Sequence, residues 1–195
     1  VIDKTIEKFG GIDILVNNAS AISLTPTEQT DPKRFDLMYS INVRGTFFIT
    51  KACIPHLKKS TNAHILTLSP PVNLNPKWFK GHIAYTLTKY NMSMMTMGWA
   101  TELKQYNIAA NALWPKTTID TAAVRNLLGG ETLAKMSRTP EILADAAFYI
   151  FSKAAALCTG NCFIDEEVFA KEGVTDLSKY SVVPGAQLYT DLFVD

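Results

Sequence analysis

Several features are missing from this chain of 195 residues, and each absence narrows what it can be. No apolar run approaches the ~20 residues that a helix needs to cross a bilayer, so no membrane span is expected. Cysteine is scarce: Cys53, Cys158 and Cys162 make an odd number without a Cys-x-x-Cys pair, which indicates neither a disulfide framework nor a zinc site and fits a reducing compartment. The three histidines, His56, His64 and His82, stand at no ligand spacing to one another or to the cysteines, so no metal is expected. An excess of one charge is lacking too. With 19 basic and 18 acidic residues the net charge is +1, which provides no field for steering nucleic acid or an anionic membrane. The ten glycines never form a Gly-x-Gly-x-x-Gly phosphate loop. Internal repeats and low-complexity stretches are also absent.

What remains is an ordinary globular composition, 47% hydrophobic and 19% charged, in a chain long enough to bury roughly 70% of its unfolded surface as one domain. Residues 1–9 read as the tail of a helix ended by Gly10 and Gly11. The apolar run at 12–17 reads as a buried strand. Further strands are expected at 64–69, 108–113 and 162–165. Helices are expected at 31–59, with Asp31 as N-cap and Pro32 behind it, and at 82–105. An excursion at 117–138 contains a short helix at 122–128 and a break at Gly129 and Gly130, and its place above a ligand edge suggests a substrate lid. Thr139 and Pro140 open a helix that reaches about Lys153. Beyond Asp165 comes a C-terminal extension, 166–195, with a short helix at 166–171. Strands alternating with helices imply an α/β fold, a doubly wound parallel sheet with helices on both faces.

The polar motifs fall at the carboxyl ends of these strands or on the helices that follow, and ligands bind at that edge in open α/β sheets. Asn17, Asn18, Ala19 and Ser20 follow the first strand. Asn42 sits mid-helix, where its amide competes for backbone hydrogen bonds. Ser69 closes the second strand, and Trp114, Pro115 and Lys116 close the third. Tyr85 and Lys89 stand at i and i+4, a spacing that puts phenol and ammonium on one helix face. A phenol with a pKa near ~10 shuttles protons poorly at neutrality, and a cation within ~4–6 Å lowers such a pKa by ~1–3 units. The spacing makes the pair a candidate general acid/base that needs no histidine. The bland alternatives are a Tyr-Lys pair decorating a helix, an asparagine facing solvent and a serine that merely ends a strand. Met92, Met94, Met95, Met97 and Trp99 on the same helix read as packing rather than cofactor contacts.

In this order the motifs resemble the short-chain dehydrogenase/reductase family over nearly the whole chain, with 17–19, Asn42 and Tyr85/Lys89 as the matching positions. Segments 52–59, 69–76 and 111–116 and the tail 165–195 point to one narrower group within it. The resemblance implies a Rossmann-like sheet truncated at its amino end, lacking its first strands and Gly-rich loop, or about two to three βαβ-type units of ~30 residues each. It implies a nicotinamide cofactor, NAD or NADP, because the residue that discriminates them follows a strand this sequence does not contain.

By the same resemblance Tyr85 is the acid/base, Lys89 lowers its pKa and holds the cofactor ribose, and Asn42 holds a water that relays protons. Asn18 and Ala19 meet the adenosine side, and Asn17 braces neighbouring strands. Pro115 and Lys116 stand where the family has Pro-Gly beside the nicotinamide. Thr118 meets the carboxamide through its main chain, or Ile119 does if the loop is shifted by one. The serine position is divided: the family interval before the tyrosine lands on Val72, alignment from the strand end lands on Pro70 with Ser69 one residue early, and Asn73 is a substitute donor. The narrower group implies a lipid-like substrate, fatty acyl or steroid, a peroxisomal or alternatively mitochondrial setting, and homo-oligomers formed through helices 31–59 and 82–105. In that group a linker and a sterol-carrier-type domain follow. The rival reading is a catalytically silent binding or assembly module, favoured by the absent phosphate loop, by Lys116 in place of glycine and by the displaced serine.

Overall fold

The structure, a computed structural model, describes residues 1–195. Four strands, β1 (Ile14–Asn17), β2 (Ala63–Leu68), β3 (Ile108–Trp114) and β4 (Cys162–Ile164), form one parallel sheet in the order β1-β2-β3-β4. β1 runs parallel to β2 with Ile14 opposite His64 and Asn17 opposite Thr67, so both strands end at the same edge. Strands that are consecutive in sequence are neighbours in the sheet, each reached through a helical connection, as short crossovers favour. This is the expected α/β, Rossmann-like architecture. No helix is long and apolar enough to cross a membrane.

The chain packs as two compact units, residues 1–112 with 153–162, and residues 113–152 with 163–195. In the first, α1 (Ile2–Phe9) ends where expected: Gly10 takes φ +80°, a left-handed conformation open to glycine, and its N–H closes on the Ile6 carbonyl at 2.8 Å. α2 (Pro32–Met38) starts on the expected cap, with the Asp31 carboxylate accepting from the amides of Lys33 and Arg34 at 2.8 and 3.2 Å. α3 (Thr46–Leu57) and α4 (Ile83–Glu102) follow. Cys53, Leu57, Ile65, Trp99, Leu103 and Ile108 form the centre of this unit's core.

Two expectations need correction here. The strand at 12–17 is not buried along its length. It starts at Ile14, lies first in the strand order, and leaves Ile14 and Val16 44% and 45% exposed. The helix at 31–59 is also not continuous. Tyr39–Gly45 winds as a π-helix, one residue wider per turn, with Asn42 at its centre. Gly45 belongs to that widened turn, since a β-carbon there would stand 3.3 Å from the Ser40 carbonyl oxygen.

In the second unit, residues 117–138 double back on themselves. The Arg138 amide donates to the Thr118 carbonyl at 2.9 Å and the Asp120 amide to the Arg138 carbonyl at 2.8 Å. The tail reinforces this base: the Thr118 amide donates to Tyr189, the Tyr189 amide to Met136 and the Val182 amide to Ser137. Inside the excursion the expected helix at 122–128 is mostly a π-helix, Val124–Leu128, and the expected break falls at Gly129, which is non-helical and separates it from α5 (Gly130–Lys135). Arg125 ties the excursion together through both Asp120 and Glu131. α6 (Glu141–Phe151) begins after Pro140 rather than on it. β4 stops at Ile164, so Asp165 opens α7 (Asp165–Lys171) rather than closing the strand.

Candidate active site

β1 and β2 both end in the same way. The amides of Asn18 and Ser69 reach back two residues, to Val16 and Thr67, at 3.1 and 2.9 Å, forming γ-type turns that stop each strand at one edge. Asn17, at the last position of β1, braces the elements behind this edge through Nδ2, which donates to Thr50 Oγ1 at 3.1 Å and Thr67 Oγ1 at 3.4 Å. Asn18, Ala19 and Ser20 lie exposed in the turn beyond, open to a ligand.

Asn42 is fully buried, which excludes the solvent-facing alternative. Its Oδ1 accepts from the Ala21 amide at 2.7 Å, and its Nδ2 donates to the Ala21 carbonyl and to Thr88 Oγ1, both at 2.9 Å. The carboxamide thus joins the turn after β1 to α4. Thr88 passes the connection on, its hydroxyl donating to the Tyr85 carbonyl at 2.8 Å. Sequence reasoning missed Thr88, because a threonine between Tyr85 and Lys89 carries no signal until its partner from another helix is known.

Tyr85 and Lys89, one turn apart on α4, are 5% and 3% exposed, so the pair is no surface decoration. Lysine is rarely this deep without partners. The Lys89 ammonium donates to the Leu68 carbonyl at 2.9 Å, pinning the helix to the end of β2. The next residue is Ser69, fully buried, whose hydroxyl has no hydrogen-bond partner. In the rival donor, Asn73, Oδ1 accepts from the Asn75 amide at 2.9 Å and the main chain is held by Tyr90, bonds that leave its Nδ2 out. Tyr85, Lys89, Asn42, Ser69, Asn18 and Ala19 therefore all belong to one compact unit, at or beside the carboxyl ends of two neighbouring strands.

A further layer was invisible in the sequence. Three hydroxyls on one face of α4, spaced i, i+4 and i+7, each donate to a main-chain carbonyl of the segment after β2. Thr86 reaches Trp78 at 2.7 Å, Tyr90 reaches Asn73 at 2.7 Å and Ser93 reaches Pro70 at 2.5 Å. Since the Thr86 hydrogen goes to Trp78, His82 Nδ1, 2.9 Å from Thr86 Oγ1, must carry its own proton, and burial holds that ring's pKa below its usual value. These bonds fix residues 70–78 over α4, with Val72 and Leu74 left 42% and 75% exposed. Tyr90→Phe removes the middle bond and is expected to cost ~1 kcal/mol of stability. Denaturant unfolding of the two proteins checks this, and an unchanged midpoint would mean that the Tyr90–Asn73 bond does not hold the segment after β2 to α4.

In the second unit, Pro115 is buried and Lys116 is gripped from both sides. Its amide donates to Asp165 Oδ1 at 2.8 Å, its carbonyl accepts from the Asp191 amide at 3.1 Å, and its ammonium reaches the Asp195 carbonyl. Both main-chain groups of Thr118 are engaged, with Tyr189 and Arg138, and its hydroxyl bonds Ser137 Oγ at 2.8 Å. Of the two registers considered for a carboxamide contact, Ile119 is the one whose amide takes no part in these bonds.

Residues 1–131 match the short chain dehydrogenase family. The chain belongs to that family. It is 57% identical over 194 residues to hydroxysteroid dehydrogenase-like protein 2 of Xenopus tropicalis and 55% identical to the Homo sapiens protein of that name. Both alignments cover 100% of this chain and 46% of the relative, so the chain spans about half the length of the curated relatives it matches. Among solved structures, a short chain dehydrogenase from Mycobacterium thermoresistibile superposes with a TM-score of 0.91 at 52% identity, over 100% of this chain and 69% of that one. The narrower group indicated by segments 52–59, 69–76 and 111–116 is thus the one these curated relatives represent.

Proposed function

We propose that the protein is a nicotinamide-dependent oxidoreductase that interconverts a carbonyl and a secondary alcohol, with Tyr85 as the proton-transferring residue. The observation carrying this reading is the deeply buried Tyr85/Lys89 pair, its ammonium anchored on Leu68 next to the orphaned Ser69 hydroxyl. During reduction the Tyr85 phenol gives its proton to the substrate oxygen, and during oxidation it takes one back. The Lys89 charge favours the phenolate that results. Ser69, whose buried hydroxyl lacks a partner in the protein, donates to the same substrate oxygen and orients it. Both amide hydrogens of Asn42 are already used, so a relay water beside it is held as a donor, through an Asn42 carbonyl oxygen.

A bound nicotinamide supplies or accepts the hydride. By the family resemblance the groups that would hold it are Asn18, Ala19, Tyr85 and Lys89 of the first unit and Pro115, Lys116 and the 118–119 main chain of the second, where the Thr118 groups are engaged and the Ile119 amide takes no part in those bonds. NAD and NADP are both compatible with these residues. A lipid-like substrate, fatty acyl or steroid, is supported by the exposed Val72 and Leu74 on the segment after β2 and by the name its relatives carry. A peroxisomal setting, or alternatively a mitochondrial one, belongs to the same proposal. Homo-oligomers through α2, α3 and α4 are supported by an apolar hollow of about 400 Å³ lined by Val43, Phe47, Phe48 and Met95, with both phenylalanines over 40% exposed.

Nicotinamide fluorescence titration tests the reading on this chain and on the same chain extended ahead of residue 1 by the Gly-rich phosphate-loop unit that the family resemblance implies. Saturable binding of NADH or NADPH by the longer protein is the expected result. If it binds neither, the silent-module reading, which rests on Lys116 and the engaged Thr118 main chain, replaces the enzyme.

A further inference from the structure

We infer that Asp165 is a positioning residue for the turn at 115–118: an internal anion that clamps the Lys116 amide and so fixes the main chain which, on the reading proposed above, meets the nicotinamide. Its carboxylate is fully buried at the start of α7. One oxygen, Oδ1, accepts two amides, those of Lys116 and Glu166, each at 2.8 Å. Oδ2 is buried with no hydrogen-bond partner. A carboxylate is an expensive residue to bury for structure alone, because desolvation opposes its charge and half of its acceptor capacity here goes unused.

Its position accounts for it. Lys116 stands where the wider family's pattern has Pro-Gly, and its main chain is held at this point by Asp165 on the N–H and the Asp191 amide on the carbonyl. The two charged groups facing Asp165 are Arg138 and Glu166, and they are paired with each other. The Lys116 ammonium is turned away to the Asp195 carbonyl. Arg138 therefore neutralises Asp165 only in part.

Burial pushes the Asp165 carboxyl up from 3.8 to about 6, against the opposing pull of the two amides and of Arg138. The folded pKa is raised, so stability from this group is fully present below about 3.8 and is lost as pH rises through about 6. The clamp runs the other way. Charge-assisted hydrogen bonds are about twice as strong as neutral ones, so the turn is held tightly when Asp165 is ionised and loosens when it takes a proton. Between pH 7 and pH 4 this group's contribution to global stability should rise while the Lys116 turn becomes looser. A residue with only a structural role would move both in the same direction.

Hydrogen exchange of the cofactor-free protein, corrected for intrinsic pH dependence, reads the turn directly. In the wild type the Lys116 amide should lose protection roughly tenfold as pH falls through about 6. NADH or NADPH should bind several-fold more weakly over the same interval. Asp165→Asn keeps an acceptor oxygen but cannot titrate, and both profiles should be flat. Asp165→Ala should leave the turn unprotected at every pH; should it fail to fold, the Asn variant carries the test alone. A flat wild-type protection profile, or a step that survives in Asp165→Asn, overturns the inference. A step in protection without nicotinamide binding at any pH supports the clamp and rejects the oxidoreductase. Binding without a step does the reverse.

Discussion

Replacing Tyr85 with phenylalanine is expected to reduce turnover of any carbonyl or alcohol substrate by at least about 100-fold, the lower end of what a positioned acid or base supplies. Little else should change. The ring is 5% exposed and its packing is kept. The Asn42–Thr88 connection ends on the Tyr85 main-chain carbonyl, not on the phenol, so the link between helices survives. Loss of one hydroxyl should cost ~1 kcal/mol of stability or less. The measurement is kcat beside a thermal melt and a nicotinamide titration. A fall in kcat with the melt and cofactor affinity nearly unmoved assigns the proton to Tyr85. Turnover within twofold of the wild type removes it from the mechanism, and a collapse of all three readouts together shows a structural residue instead.

The parts of the site that could be read from sequence are those built by local geometry. Tyr85 and Lys89 share a helix face because i and i+4 always do, and Asp31 with Pro32 announces a helix start whatever surrounds it. The strand ends at Asn17 and Leu68 follow from short apolar runs meeting polar residues. What escaped was set by partners far along the chain. Tyr39–Gly45 widens into a π-helix around Asn42, whose carboxamide is bound by Ala21 and Thr88, 21 and 46 residues away. Thr86, Tyr90 and Ser93 read as unremarkable helix residues until the path of 70–78 shows three carbonyls waiting for them. The half-exposed face of β1 escaped for a similar reason: an apolar run reads as buried, while its place in the sheet decides what covers it. Asp165 looked like the end of a strand because its two amide donors, one of them 49 residues earlier, are not a local pattern. Gly129 and Gly130 read as a break by propensity, and the π-helix stops at Leu128 and α5 starts anew at Gly130, whose φ of +61° favours glycine.

Asn42→Ala should be the most destabilising single change at the site, by about 3 kcal/mol, because it removes three hydrogen bonds and strands the groups left behind. The Ala21 amide and carbonyl, part-buried, would have to find water. Thr88 would lose its donor. The turn carrying Asn18 and Ala19 is held to the rest of the unit through Ala21, so nicotinamide affinity should fall about tenfold, in proportion to a loss near 1.4 kcal/mol. Asn42→Asp separates the bonds from the space they fill. It keeps an acceptor for the Ala21 amide but sets a second oxygen against the Ala21 carbonyl and the Thr88 hydroxyl, and the single Thr88 hydrogen is already given to Tyr85. The aspartate variant should therefore be no more stable than the alanine variant despite its nearly identical shape. Denaturant unfolding of the three proteins decides the matter: an aspartate variant close to the wild type would mean that the carboxamide donors do not hold α4 to the β1 turn.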